Sequence, residues 1–130
     1  MSAPIIAVDF DGVLTRADGW PKIGEFDPEM IIALVFAQRK GWRLILWTCR
    51  EGEYLSAAID WCAKRFLHFD FHNVNAPDRV AKFGSDCRKI SADIILDDKS
   101  ICWDRDAALA KLRALPDMRD DETGQTYKCW

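Results

Sequence analysis

At 130 residues the chain has the size of one domain, and its 49% hydrophobic content excludes a disordered chain that could not fill a core. A net charge of -3 supplies no electrostatic footprint for nucleic acid, which weakens that partner class while leaving room for a local basic patch. Five cysteines (Cys49, Cys62, Cys87, Cys102 and Cys129) form no C-x-x-C pair and are odd in number, so they read as reduced thiols rather than a disulfide framework.

The first element is a strand over residues 4–10, where the apolar run Ile5-Ile6-Ala7-Val8 ends in Asp9-Phe10-Asp11-Gly12. Turn formers fill residues 16–24, including Gly19, Pro21 and Gly24. Asp27-Pro28-Glu29 opens a helix that runs to about Lys40 and stops at Gly41, with Asp as cap, Pro in the first turn and Glu at the positive end of the dipole. A strand over 42–47 follows, continuous in apolar residues apart from Arg43. The next helix covers 53–66, its stripe formed by Leu55, Ala58, Ile59 and Cys62. Residues 69–74 read as a third strand and 75–91 as irregular or weakly helical. Asp93-Ile94-Ile95-Leu96 makes a fourth strand that runs into Asp97-Asp98, and a last helix over 104–115 is ended by Pro116. The polar tail from Asp117 either frays or adds an edge strand over 126–130.

Strands alternating with helices predict an α/β fold: a three-layer, Rossmann-like arrangement with a central parallel sheet flanked by helices, in a single domain over 1–130. In such a sheet the C-terminal strand ends share one edge, where ligands bind. Asp9, Asp11, Thr48, Asp97 and Asp98 all follow strands, and Lys89 precedes the last one. Carboxylates gathered at one edge repel each other strongly unless a cation joins them, which predicts a Mg2+ site. Acids, a hydroxyl, a lysine and a metal are the inventory of phosphoryl transfer, whose catalysis is mostly positioning and charge neutralisation.

At these residues the chain resembles the haloacid dehalogenase-like superfamily of phosphohydrolases. Its D-x-D-G-[VT] motif matches Asp9-Phe10-Asp11-Gly12-Val13, and its strand ending in Thr or Ser matches Leu44-Ile45-Leu46-Trp47-Thr48. Its lysine upstream of the last strand matches Lys89, with Lys82 as the alternative, and its final acidic pair matches Asp97-Asp98. The resemblance implies a phosphatase in which Asp9 attacks phosphorus and forms an aspartyl-phosphate, with Asp11 as general acid and base. Related ATPases usually lack an acid at the second position, so Asp11 points to a phosphatase. Mg2+ would be held by Asp9, the Asp11 carbonyl and Asp97, with Asp98 beside them. Thr48 would bond a phosphoryl oxygen, Lys89 would tether Asp9, and Gly12 would let the backbone approach the phosphate. Arg50 is a candidate ligand for the substrate phosphate or a second anionic group.

Other readings compete at single positions. The acids could cap turns, Thr48 could simply end a strand, and Arg50 could lie on the surface. Trp20 could stack on a substrate or anchor its loop. His68 and His72 lack metal-ligand spacing and read as structural, while Asn73 and Asn75 suit turns. Neither the 11–48 nor the 48–89 interval has room for the cap domain many family members carry. The site is therefore expected to be open unless the 16–24 loop or a second subunit covers it, which makes a homo-oligomer possible. A phosphorylated small molecule or an accessible macromolecular phosphate is the expected partner. No segment reaches the roughly 18 apolar residues of a membrane span, and the start has no basic leader, so a cytoplasmic protein is expected. A receiver-like phosphoacceptor domain or a non-catalytic fold relative are the alternatives. A receiver would carry its phosphoacceptor acid at the middle strand, where this chain has Thr48.

Overall fold

The apolar run after Pro4 forms strand β1, Ile5–Val8, every residue of which is buried. In this computed structural model, which describes residues 3–119, β1 is followed by helix α1 (Pro28–Arg39), strand β2 (Arg43–Leu46) and helix α2 (Gly52–Ala63). Strand β3 (Phe71–His72), helix α3 (Pro77–Phe83), strand β4 (Ile94–Leu96) and helix α4 (Arg105–Arg113) complete the order. The sheet runs β3-β2-β1-β4, with every pairing parallel. Strand β1 therefore lies inside the sheet, between β2 and the edge strand β4.

Alternation along β1 divides the core. Ile6 and Val8 join the larger cluster, with Met30 and Leu34 of α1, Ala58 and Cys62 of α2, and Leu109 and Leu112 of α4. Ile5 and Ala7 face the other way, toward Ile45, Ala76 and Ile90. The fold is a three-layer α/β sandwich with unequal cover: three helices on one face, and Ala76 at the start of α3 with the approach to β4 on the other. No inserted domain interrupts the described residues, since only a loop and α1 separate β1 from β2.

Local chemistry sets the helix ends. The Asp27 carboxylate accepts the Met30 N–H, and Pro28 occupies the first turn of α1. At its other end Gly41 takes φ +94°, so that the Trp42 N–H returns to the Ala37 carbonyl and the Trp42 side chain enters the core. Helix α2 ends the same way with a costlier residue. Phe66 takes φ 66°, and the Leu67 N–H bonds the Cys62 carbonyl while Leu67 is buried.

Two expectations need adjusting. Strand β3 is two residues long, against the 69–74 expected. At each end a side chain replaces the backbone acceptor: the Asp70 carboxylate takes the Leu44 N–H, and Asn73, at φ 54°, takes the Thr48 N–H on Oδ1, while the Asp70 and Asn73 N–H groups still reach the Leu44 and Leu46 carbonyls. The stretch read as irregular or weakly helical contains α3, begun by Pro77 and ended by Gly84 at φ 75°. Among the described residues no helix is long and apolar enough to cross a membrane, and Cys49, Cys62, Cys87 and Cys102 are free thiols. Cys129 and the edge strand considered over 126–130 lie outside the described residues.

Candidate functional site

Parallel register builds the site. Val8 pairs with Leu46 on one side and Leu96 on the other. The ladder continues one step further, with the Asp9 N–H on the Leu96 carbonyl at 2.9 Å and the Trp47 N–H on the Val8 carbonyl at 2.8 Å. Asp9, Trp47-Thr48 and Asp97-Asp98 thus leave the sheet together. Carboxylate oxygens of Asp9, Asp97 and Asp98 lie within 4.8 Å of one another.

That crowding has a measurable cost. The Asp9 carboxyl is pushed from an ordinary value near 3.8 up to about 7, chiefly by burial, then by a hydrogen bond shared with Asp98 and by the charges of Asp97 and Asp98. The Phe10 N–H, donating to Asp9 Oδ1 at 2.8 Å, opposes the rise. Asp98 Oδ1 is buried without a hydrogen-bond partner. Gly12 provides the seat for this carboxylate: a Cβ there would stand 2.1 Å from Asp98 Oδ2, and its φ of +92° already favours glycine. Three clustered carboxylates, one with an unpartnered buried oxygen, could hold a hard divalent cation.

Asp9, Asp11, Thr48, Asp97 and Asp98 line one cleft of about 350 Å³, together with Ala17, Trp20, Trp47, Cys49 and Lys99. The 16–24 loop therefore contributes a wall, as a flap would. It is held by the Arg16 N–H on the Glu25 carbonyl and by Gly24, whose missing Cβ lets Arg16 O approach. Thr48 sits in a turn clamped by Asn73, whose Oδ1 accepts the Thr48 N–H at 2.8 Å while its Nδ2 donates to the Arg50 carbonyl. Thr48 Oγ1 accepts the Arg50 N–H at 3.1 Å.

Two sequence-derived candidates stand elsewhere. Arg50 is 1% exposed and does not line the cleft. Its Nε and Nη2 donate to the two oxygens of Asp11, each at 2.8 Å, and Nη1 donates to the Pro21 carbonyl. The anion it meets is a residue of this chain, which corrects its expected role as a substrate ligand. Lys89 lines a separate cavity with Asn75, Val80, Phe83 and Ile95 and is absent from the lining of the Asp9 cleft. It approaches the sheet from the opposite end of β4, whereas Lys99 follows the acid pair directly and reaches the cleft. The sequence reading missed Lys99, although a lysine one residue after Asp98 was the available signal. It placed Trp47 only at the end of a strand, and Asn73 only in a turn.

No family model matches the chain, and no curated protein does. A solved structure described as that of a conserved protein coded by a locus of Bacteroides thetaiotaomicron is 36% identical, over 86% of this chain and 91% of that one, with a TM-score of 0.72. The chain belongs to that protein's family. The description of that protein names no activity, so the relationship speaks for the three-layer fold and leaves the chemistry to the cleft.

Proposed function

We propose that the protein is a Mg2+-dependent phosphomonoesterase of the haloacid dehalogenase-like type. The observation that supports this most is the meeting of Asp9 with Asp97 and Asp98, brought from β1 and β4 to one edge beside Thr48. Mg2+, held by Asp9, Asp97 and Asp98, would neutralise the cluster and the phosphate charge. Asp9 Oδ attacks phosphorus and displaces the ester oxygen, and water then releases phosphate from the aspartyl-phosphate. Thr48 Oγ1 donates to a phosphoryl oxygen, and Lys99 offsets the charge at the mouth.

Asp11 has a constrained part. Both its oxygens accept from Arg50, the fork of an ionised carboxylate. In that form it can take the proton of the attacking water, whereas protonating the leaving oxygen requires the fork to open. The test is hydrolysis of p-nitrophenyl phosphate. Asp9→Asn is expected to abolish turnover with the fold intact by circular dichroism, and EDTA to abolish it reversibly; undiminished activity in either case overturns the reading.

A further inference from the structure

Trp20 is 57% exposed, yet its ring is in contact with Arg50 and Tyr54. The Arg50 guanidinium lies over its ring at 4.8 Å and over the Phe10 ring at 5.0 Å, so the cation is sandwiched between two aromatics. Tyr54 meets the indole at 6.0 Å with a 51° tilt. The backbone beside it is held as well, by Arg50 Nη1 on the Pro21 carbonyl at 3.1 Å and Nη2 on the Lys22 carbonyl at 3.4 Å. The same guanidinium grips both Asp11 oxygens. An unbroken chain of contacts, Asp11 to Arg50 to Trp20, therefore registers an exposed indole against the carboxylates. A second indole, Trp47, lines the cleft two residues ahead of Cys49, one side of it packed against the smaller core cluster. The contact of Trp20 with Arg50 serves the fold by covering the buried guanidinium, yet 57% of Trp20 stays exposed in the lining of the carboxylate cleft.

We propose that Trp20 and Trp47 form a leaving-group subsite, and that the substrate is a small phosphomonoester carrying its phosphate on a planar aromatic or heteroaromatic group. This rests on the phosphatase reading for its substrate and on the aromatic geometry for its specificity. The cleft, at about 350 Å³, has room for a phosphoryl group and a ring system. Carboxylates on its floor leave Lys99 as the cation in its lining, which disfavours a polyanion and suits a single phosphate. The rings supply the remaining affinity through stacking, which needs a flat partner.

The test measures binding apart from turnover, by calorimetry with phenylphosphonate and ethylphosphonate in saturating MgCl2. The wild-type protein is expected to prefer phenylphosphonate by about tenfold, the scale of one aromatic contact. Trp20→Ala should erase most of that preference, and Trp20→Phe, which keeps a planar face, should retain it. Because Trp20 is largely outside the core, the variants are expected to fold, which circular dichroism checks. Equal affinity for the two ligands, binding of neither, or a preference untouched by Trp20→Ala overturns the subsite. A retained, Trp20-dependent preference in a protein that hydrolyses no phenyl phosphate sinks the hydrolase reading instead and leaves the subsite standing.

Discussion

Arg50 shows how a residue that looks like a surface ligand becomes structural. Its side chain is 1% exposed and that of Asp11 20%, so the pair is desolvated, and removing one partner strands the other. Arg50→Met is expected to cost about 3–5 kcal/mol in urea unfolding. Asp11→Asn should cost a similar amount, and the double variant clearly less than the sum, because each change removes the same interaction. Full additivity would mean that the fork contributes nothing. The two lysines separate just as sharply. Lys99→Ala is expected to lower kcat/KM roughly tenfold through lost charge at the cleft mouth, and Lys89→Ala to leave it within about twofold. Steady-state kinetics on p-nitrophenyl phosphate distinguishes them, and the reverse ranking would restore the sequence-derived tether.

Among the elements, α1 and α4 are tied by a charge cluster at one end. Arg105 bonds Asp27 through Nε and Nη2, each at 2.8 Å, and reaches Glu29 at 3.0 Å, while Arg113 also meets Glu29. The Arg105 guanidinium holds the Asp27 carboxyl below its ordinary value against the opposing effect of burial, with a lesser contribution from the Met30 N–H. A lowered carboxyl contributes stability above its unfolded value, and that contribution is lost as pH falls through the folded value. Arg105→Ala is therefore expected to destabilise the protein slightly at neutral pH, and by less in acid. Urea unfolding at the two pH values measures it; an equal loss at both would remove the electrostatic account. At the other end of α1, the Lys40 carbonyl accepts the Met118 N–H and Trp42 Nε1 donates to the Pro116 carbonyl. The segment after α4 is thereby fastened back onto the start of β2.

For the whole molecule, the carboxylate cluster couples folding to metal and to pH. Without a cation the folded state keeps a proton on Asp9 up to about 7, whereas the unfolded chain releases it near 3.8. Folded protein then binds more protons than unfolded protein in that interval, so stability falls as pH rises through it. Thermal melts in EDTA are expected to show Tm declining from about pH 4 to about pH 7 and levelling above that, apart from the acid effect at Asp27. Saturating MgCl2 should raise Tm, most at the higher pH, because ligands must be deprotonated to bind and binding favours the folded state. A Tm indifferent to Mg2+ at both pH values would show that the cluster holds no such ion.

Much of this was legible in residues 5–14 and 93–98. Apolar runs that stop at paired acids declare the strands and the acids at their ends, because each signal is local: side-chain burial, then charge, within ten residues. The caps at Asp27 and Gly41 are local in the same sense. The short β3 was not legible, since Asp70 ends it by bonding Leu44, a residue 26 positions away. Nor was α3, whose helix buries no side chain and so leaves no apolar stripe.

The chain by itself determined a parallel α/β fold and the identity of the acids at its strand ends, since pattern and composition act over a few residues. Which lysine lines their cleft, and what Arg50 holds, were decided only by the tertiary structure. Both depend on strand order and on contacts across roughly 40 residues of chain, where hydrogen-bond geometry rather than sequence proximity selects the partner.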